Sequence, residues 1–499
     1  MADVEVEEKN KPKELTVEQM LPHIGDNGTF QKLLVVGFTI TLFVTSMQPV
    51  LCTFITLAPD WRCVENSTEC TWKNMTFPAQ DERRCNMSRS EWKYIADKDF
   101  SIVTQFDVDC ERKSLVTLFM AIFFVGWGMG AIVCGWVVDR HGRRIIFLPA
   151  MITIFVLGFA SPFASNVYIV IAFRFFIGFS FPGLLIQSQV VITEFVGTSF
   201  RHIAIGVSSS SFNVAWVLLG VKAYYLQNWK YLSIVCTAPY LPIFLFYFFI
   251  PESARWLHLK NRHEEAMIIL RRIAKWNNRT LPDNITLASN HSTITVHSGN
   301  SNIFHLFSSP KLATRTCVLM FVWFSCALSS YGLQFSAGNL GGTVYLNFML
   351  LSAAGVPAAV AGSTGLKMFG RKITTLSHVI LAGVTCFVIA GLPSNGVYRV
   401  VRLVLGIFGK FCVVAQIACL YTWSPEMYPT SMRAVAMGVV QLSARVGSGL
   451  SPLVVIELAR YGQWIPFVVI GVVSVLAGGF GFLLPETKGM QLKENEENS

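Results

Sequence analysis

Apolar residues in this chain fall again and again into runs of about twenty, the length an α-helix needs to cross the roughly 30 Å hydrocarbon core of a bilayer. The first run extends from Leu33 to Leu57. Eleven more centre on 115–138, 145–165, 168–193, 203–226, 230–250, 316–335, 344–366, 373–392, 397–422, 434–457 and 464–484. The pattern predicts an all-α membrane protein with twelve spans. Composition excludes the soluble alternative: charged residues make up only 14% of the chain, whereas a water-soluble chain carries about 25%.

Orientation follows from charge. No short apolar segment with a small-residue cleavage site precedes Leu33, so the polar tail 1–32 is expected to stay uncleaved and cytosolic. An even number of spans puts the tail 485–499 on the same side. The tails and loops so placed carry 23 Lys and Arg, whereas the short loops opposite carry four, Lys222, Lys230, Arg399 and Arg460. This is the positive-inside asymmetry, and it accounts for the net charge of +10 without a nucleic-acid-binding face. No glycine-lysine nucleotide loop appears, nor a cluster of side chains spaced for metal binding or catalysis. Nucleotide, nucleic-acid and metal partners are therefore not expected, and the chain does not read as an enzyme. No cofactor is implied, a coupling ion or counter-substrate is left open, and a monomer can suffice.

The loop 58–114 is the longest placed outside. It holds Cys63, Cys70, Cys85 and Cys110, and three glycosylation triplets begin at Asn66, Asn74 and Asn86. In an oxidising exterior this reads as a glycosylated loop closed by two disulfides, with three connectivities open. Zinc is the competing reading, but the cysteines do not form two close pairs.

The chain repeats itself. Gly142-Arg143 recurs as Gly370-Arg371 and Arg174-x-x-x-Gly178 as Arg402-x-x-x-Gly406, both 228 residues on. Glu194 with Arg201 recurs as Glu426 with Arg433, and Pro251-Glu252 as Pro485-Glu486, at offsets of 232 and 234. The order and near-constant offset predict two parallel six-helix halves, 33–250 and 316–484, a transporter architecture. A linker, 251–315, joins them, with an amphipathic helix expected around His263 to Trp276. Asp139, Glu194, Glu252, Glu426 and Glu486 share the inner side with Arg140, Arg143, Arg201, Arg255, Arg371 and Arg433. Such a set predicts a gate whose salt bridges tie the halves together when the cytosolic side is closed. The alternative is that these residues anchor helix ends. Lys367 stands where Asp139 would repeat, so the set is asymmetric.

At these motifs a resemblance becomes specific. Gly135-x-x-x-Asp139-Arg140-x-Gly142-Arg143-Arg144 resembles the signature between spans two and three of the major facilitator superfamily. Pro251-Glu-Ser-Ala-Arg-Trp-Leu257, Pro425-Glu-Met-Tyr-Pro-Thr430 and Pro485-Glu-Thr-Lys-Gly489 are similar to the sugar porter and organic ion transporter branches. The cysteine-rich first loop and Thr193-Glu-Phe-Val-Gly197 resemble the organic cation, organic anion and carnitine transporter family, solute carrier family 22. The resemblance covers nearly the whole chain and implies a plasma-membrane carrier of small organic ions. Sugar porters lack such a loop. A receptor reading of Asp139-Arg140-His141 fails against twelve spans.

Substrate charge is argued from ionisable groups inside the spans. Arg174, Arg402, Lys410 and Arg445 lie there, with no Asp or Glu near mid-span. A basic group at the midplane costs about 2.5–3.5 kcal/mol, so it should face a cavity or a partner. The resemblance implies that Arg445 stands where cation transporters carry Asp and where anion and carnitine transporters carry Arg, making it the substrate's charge partner. Lys410 matches a basic position that serves substrate, structure or coupling. Arg174 and Arg402, being duplicated, read as architectural. Trp323 and Tyr331, eight residues apart, are expected to share a face of span seven; Phe212 and Trp216 form a second candidate wall, and Gln416 a polar one. The expected substrate is an organic anion or a carnitine-like zwitterion, with an organic cation as the alternative.

Overall fold

The computed structural model describes residues 13–65, 70, 75–77, 82–281, 285–287, 303–393, 396–429 and 432–489. The triplets at Asn66 and Asn74 lie outside them. Among the described residues ten helices are long and apolar enough to cross a membrane: Thr29–Ile55, Cys110–His141, Val167–Phe195, Ile203–Tyr225, Trp229–Phe249, Pro310–Asn339, Val344–Phe369, Arg371–Gly391, Tyr398–Glu426 and Arg433–Arg460. Two shorter apolar helices, Phe147–Phe163 and Ile465–Gly481, occupy the third and twelfth predicted positions. These twelve segments are called spans 1 to 12 below. The side carrying the linker is called the inner side below.

Both halves use the same devices. Span 1 breaks between Thr45 and Gln48, and buried Arg174 of span 4 donates to the Gln48 carbonyl beside the break. Arg402 of span 10 likewise donates to the Leu392 and Asn339 carbonyls at 2.8 and 3.1 Å. Carbonyl acceptors ease the penalty of a buried, unpaired guanidinium, although the Nε of each stays unpartnered. Spans 2 and 4 cross so closely at Gly178 that a Cβ there would run into the Phe123 carbonyl, and spans 7 and 11 repeat this at Gly447 against Phe324. Small residues at such crossings let backbones approach, which is how helices associate where lipid offers no hydrophobic drive.

The halves touch toward the outside and part toward the inside. On the outer side Phe54 of span 1 packs on Tyr345 and Phe348 of span 8, ring centroids 5.6 and 4.7 Å apart. Thr117 of span 2 donates to Glu457 of span 11 at 2.6 Å. At mid-membrane a Cβ on Gly128 would meet Leu442 and Arg445 at 3.5 and 3.7 Å, and one on Gly449 would meet Phe124 at 3.5 Å. Nearer the inner end, seven residues on from Gly128 and eleven back from Gly449, Gly135 and Gly438 meet nothing within 4 Å. The conformation is closed outside and open inside.

The outer loop folds around its own small core. Thr76–Phe77, Trp61–Cys63 and Trp92–Tyr94 lie side by side, antiparallel, burying Trp61, Phe77 and Trp92. The cysteines are joined as Cys63–Cys70 and Cys85–Cys110. Arg84 and Asp109 form a buried ion pair at 2.7 Å, and the Tyr94 hydroxyl donates to the same carboxylate at 2.8 Å. Burial and that carboxylate hold the Tyr94 phenol above its ordinary range. Asn86 is exposed.

On the inner side, the helix Val17–Ile24 and the linker helix His263–Trp276 pack under the first half. Asn277 fastens them to span 1: its amide nitrogen donates to the Ile24 and Gly25 carbonyls, and its oxygen accepts from the Phe30 N–H at 2.9 Å.

Candidate functional site

Arg445 sits on the face of span 11 that meets span 2, its guanidinium 3.9 Å above the Trp127 ring. Among the described residues no carboxylate or carbonyl bonds to it. The ring face attracts the cation without using any of its five N–H donors. Those donors remain for a ligand between the halves.

A second cation lies across the same space. Lys410 of span 10 is fully buried and donates to the Ser330 carbonyl at 2.7 Å and hydroxyl at 3.2 Å. Its ammonium also lies 5.1 Å from the centre of the Trp216 ring. Between the two cations runs a row of rings drawn from both halves. Trp127 stacks with Phe124 at 6.2 Å, Phe124 meets Tyr331 edge-on at 4.7 Å, and Tyr331 faces Trp216 at 6.1 Å. The Trp216 indole donates to the Ser46 carbonyl at 2.8 Å, so the break in span 1 holds that ring in place. The arrangement offers an aromatic wall, its rings inclined to one another by up to 68°, with a free guanidinium at one end.

At the inner ends, the predicted gate residues bond within their own halves and not across them. Arg143 pairs with Asp139 at 3.0 Å and Glu194 at 3.3 Å, and Arg371 with Glu426 at 3.2 Å. Glu252 accepts from the Arg143 and Arg144 N–H groups at 2.7 and 3.3 Å. Glu486 does the same for Arg371 and Lys372, both at 2.9 Å. Gly142 and Gly370 precede these turns with φ of +108° and +94°, where a Cβ would press on the Glu252 and Glu486 carboxylates. Arg201 and Arg433 donate to the Val196 and Tyr428 carbonyls, Arg255 pairs with exposed Glu18 at 3.3 Å, and Arg140 lies over Trp136. Salt bridges tying the halves are expected of a conformation closed on the inner side, which is not the one seen here. With the inner side open, each carboxylate satisfies N–H groups or an arginine of its own half.

Comparison with known proteins identifies this architecture. Residues 73–498 match the family described as Sugar (and other) transporter. The chain is 32% identical to human solute carrier family 22 member 13, over 82% of this chain and 73% of the relative. It belongs to solute carrier family 22, within the major facilitator superfamily. Organic anion transporter 3 of Pongo abelii is 28% identical, covering 97% of this chain and 93% of its own. The organic cation transporter protein of Drosophila melanogaster is 26% identical, covering 96% and 94%. Among solved structures, the inward-open xylose transporter XylE from E. coli superposes with a TM-score of 0.61 at 14% identity, over 93% of this chain and 98% of that one. The protein is accordingly an organic ion transporter of the major facilitator fold and not an enzyme.

Within this family member the structure sorts the remaining candidates. Trp323 and Tyr331 do not share surroundings, because eight helical residues complete two turns plus roughly 80°. Tyr331 faces the half-to-half interface, whereas Trp323 is buried against span 10, donating to Ser424 at 2.9 Å and meeting Tyr421 edge-on at 5.0 Å. Gln416 is buried with its amide nitrogen unpartnered, a state that costs about 1–3 kcal/mol unless a partner arrives. Phe212, one turn from Trp216, is half-buried and stands outside the ring row. Phe124 and Trp127 were not among the candidates read from sequence. Their signal was available: two aromatics three residues apart on the face of span 2 that also carries Gly128.

Proposed function

We propose that this transporter carries small organic anions or carnitine-like zwitterions, with Arg445 as the partner of the substrate carboxylate. The observation that carries the reading is the Arg445 guanidinium, held over Trp127 between the halves with no acceptor of its own. A carboxylate can take two parallel N–H bonds from it, while the ring row supports an aromatic or quaternary-ammonium body. Both ends of the row already carry a protein cation, which disfavours a substrate that is only a cation. Gln416, Lys410 and Phe212 complete the candidate surroundings. Transport proceeds by rocking of the halves in the plasma membrane, with both termini cytosolic. The 23-to-four bias in Lys and Arg supports that orientation.

The test is uptake of labelled carnitine, an aromatic monocarboxylate and tetraethylammonium in oocytes expressing wild type or Arg445→Ala. A hydrogen bond to a charged group contributes about 1.5–3 kcal/mol, so clearance of the carboxylate-bearing substrate should fall by roughly 10- to 150-fold. Surface expression should hold, since an unpaired cation is being removed from the membrane. Strong tetraethylammonium uptake that survives the substitution would overturn the proposal in favour of an organic cation transporter.

A further inference from the structure

The inner rim of the first half holds a hollow that the transport reading does not use. Phe30, Arg144, Phe248, Phe249, Arg272 and Trp276 line it, bringing together span 1, the turn before span 3, the end of span 6 and the linker helix. Its apolar part is open to the surroundings: Phe248 is 73% exposed and Trp276 47%. Trp276 packs on Phe249 and Phe30 at 5.3 and 6.5 Å, in the interfacial position that tryptophan favours.

Two cations in this hollow lack a counter-charge. Arg144 lies 4.5 Å over the Tyr247 ring, and its Nε is buried with no hydrogen-bond partner. Glu252 accepts from the backbone N–H groups of Arg143 and Arg144 and makes no ion pair with the Arg144 guanidinium among the described residues. Arg272 is exposed and pairs with no carboxylate among the described residues. The linker helix itself is committed inward, burying Ala266, Leu270, Ile273 and Ala274, so its apolar face is not what meets the lipid. Apolar ground beside two unpaired guanidinium groups, at the level of the inner headgroups, complements a molecule with an anionic phosphate and acyl chains. The inner leaflet supplies such molecules.

We propose that this hollow is a binding site for an anionic glycerophospholipid of the inner leaflet, with its phosphate between Arg144 and Arg272 and its chains along Phe248. Occupancy would join the linker helix to span 6 and the turn before span 3 through a lipid. The test uses the full-length protein in nanodiscs of phosphatidylcholine alone or with phosphatidylserine, reading retained lipid by native mass spectrometry and melting by intrinsic fluorescence.

Wild type and Lys275→Gln, a charge loss on the same helix outside the hollow, should retain phosphatidylserine alike. Arg144→Gln with Arg272→Gln should retain about tenfold less. Should the double variant fail to fold, Arg272→Glu alone serves, because that side chain is exposed and its reversal should give a comparable loss. Equal retention by all variants would overturn the proposal. So would inorganic phosphate in phosphatidylcholine discs stabilising wild type as much as phosphatidylserine does, which would make this a small-anion site.

Discussion

The bond between Thr117 and Glu457 joins the two halves at the outer surface, and it is a contact the outward-open state must give up. Replacing Thr117 with Val keeps the shape of a buried side chain and removes only the hydroxyl. Glu457 keeps Arg460 as a partner at 3.3 Å and is about one-quarter exposed, so the abandoned carboxylate is not stranded. A hydrogen bond to a charged group contributes about 1.5–3 kcal/mol; partial exposure of Glu457 argues for the lower end. Since about 1.4 kcal/mol is a factor of ten, Thr117→Val should raise the ratio of outward-open to inward-open protein about tenfold.

A cysteine at Ala121, one turn inward on span 2, reports this directly. An impermeant maleimide applied from outside reaches it only when the outer side opens, and the four outer-loop cysteines are already paired. The labelling rate should rise about tenfold in Thr117→Val, and adding Glu457→Gln should bring little more, because both changes break one interaction. A rate within about twofold of the parent, or two effects that simply add, would refute the reasoning.

Acid should loosen the inner end of the second half. Burial pushes the Glu486 carboxyl up, but N–H donors from Lys488, Arg371, Lys372 and Thr487 outweigh it and hold the group below 4.5. A carboxyl depressed in the folded state stabilises at pH above its unfolded value and loses that contribution as pH falls through the folded one. Melting temperature should therefore drop below pH about 4.5, and Glu486→Gln should flatten that part of the profile; an unchanged acid limb would count against the clamp. Gly178→Ala drives a methyl into the Phe123 carbonyl and should cost about 1–3 kcal/mol, lowering the melting temperature. Gly135→Ala meets open space in this conformation, and a thermal melt should show it near neutral.

Legibility from sequence follows the length scale of each interaction. Hydrophobic run length marked the spans, because membrane crossing is decided by consecutive residues. The 228-residue offsets marked the halves, and the structure repeats them physically, with Glu252 and Glu486 each accepting from a residue 109 or 115 positions earlier. Side-chain pairing was another matter. Opposite charges sharing one side of a membrane suggest contact without saying within which half, and helix ends supply N–H donors that compete for each carboxylate. The row from Trp127 to Trp216 needs three spans to be brought together, so periodicity along any one span could not reveal it.

The pairing within each half bears on how the carrier moves. Alternating access by rocking requires each half to keep its shape while the interface between them changes. Carboxylates that bound only across the interface would leave the inner turns loose whenever the inner side opened. Instead, Glu252 holds the turn between spans 2 and 3, and Glu486 the matching turn before span 9, while the inner side is open. Among the described residues the interface carries small residues at Gly128 and Gly449, aromatic rings, the two cations over Trp216 and Trp127 and the hydrogen bond from Thr117 to Glu457. Such an interface has few strong bonds to break. That division places rigidity inside each half and leaves the space around Arg445 free to change sides.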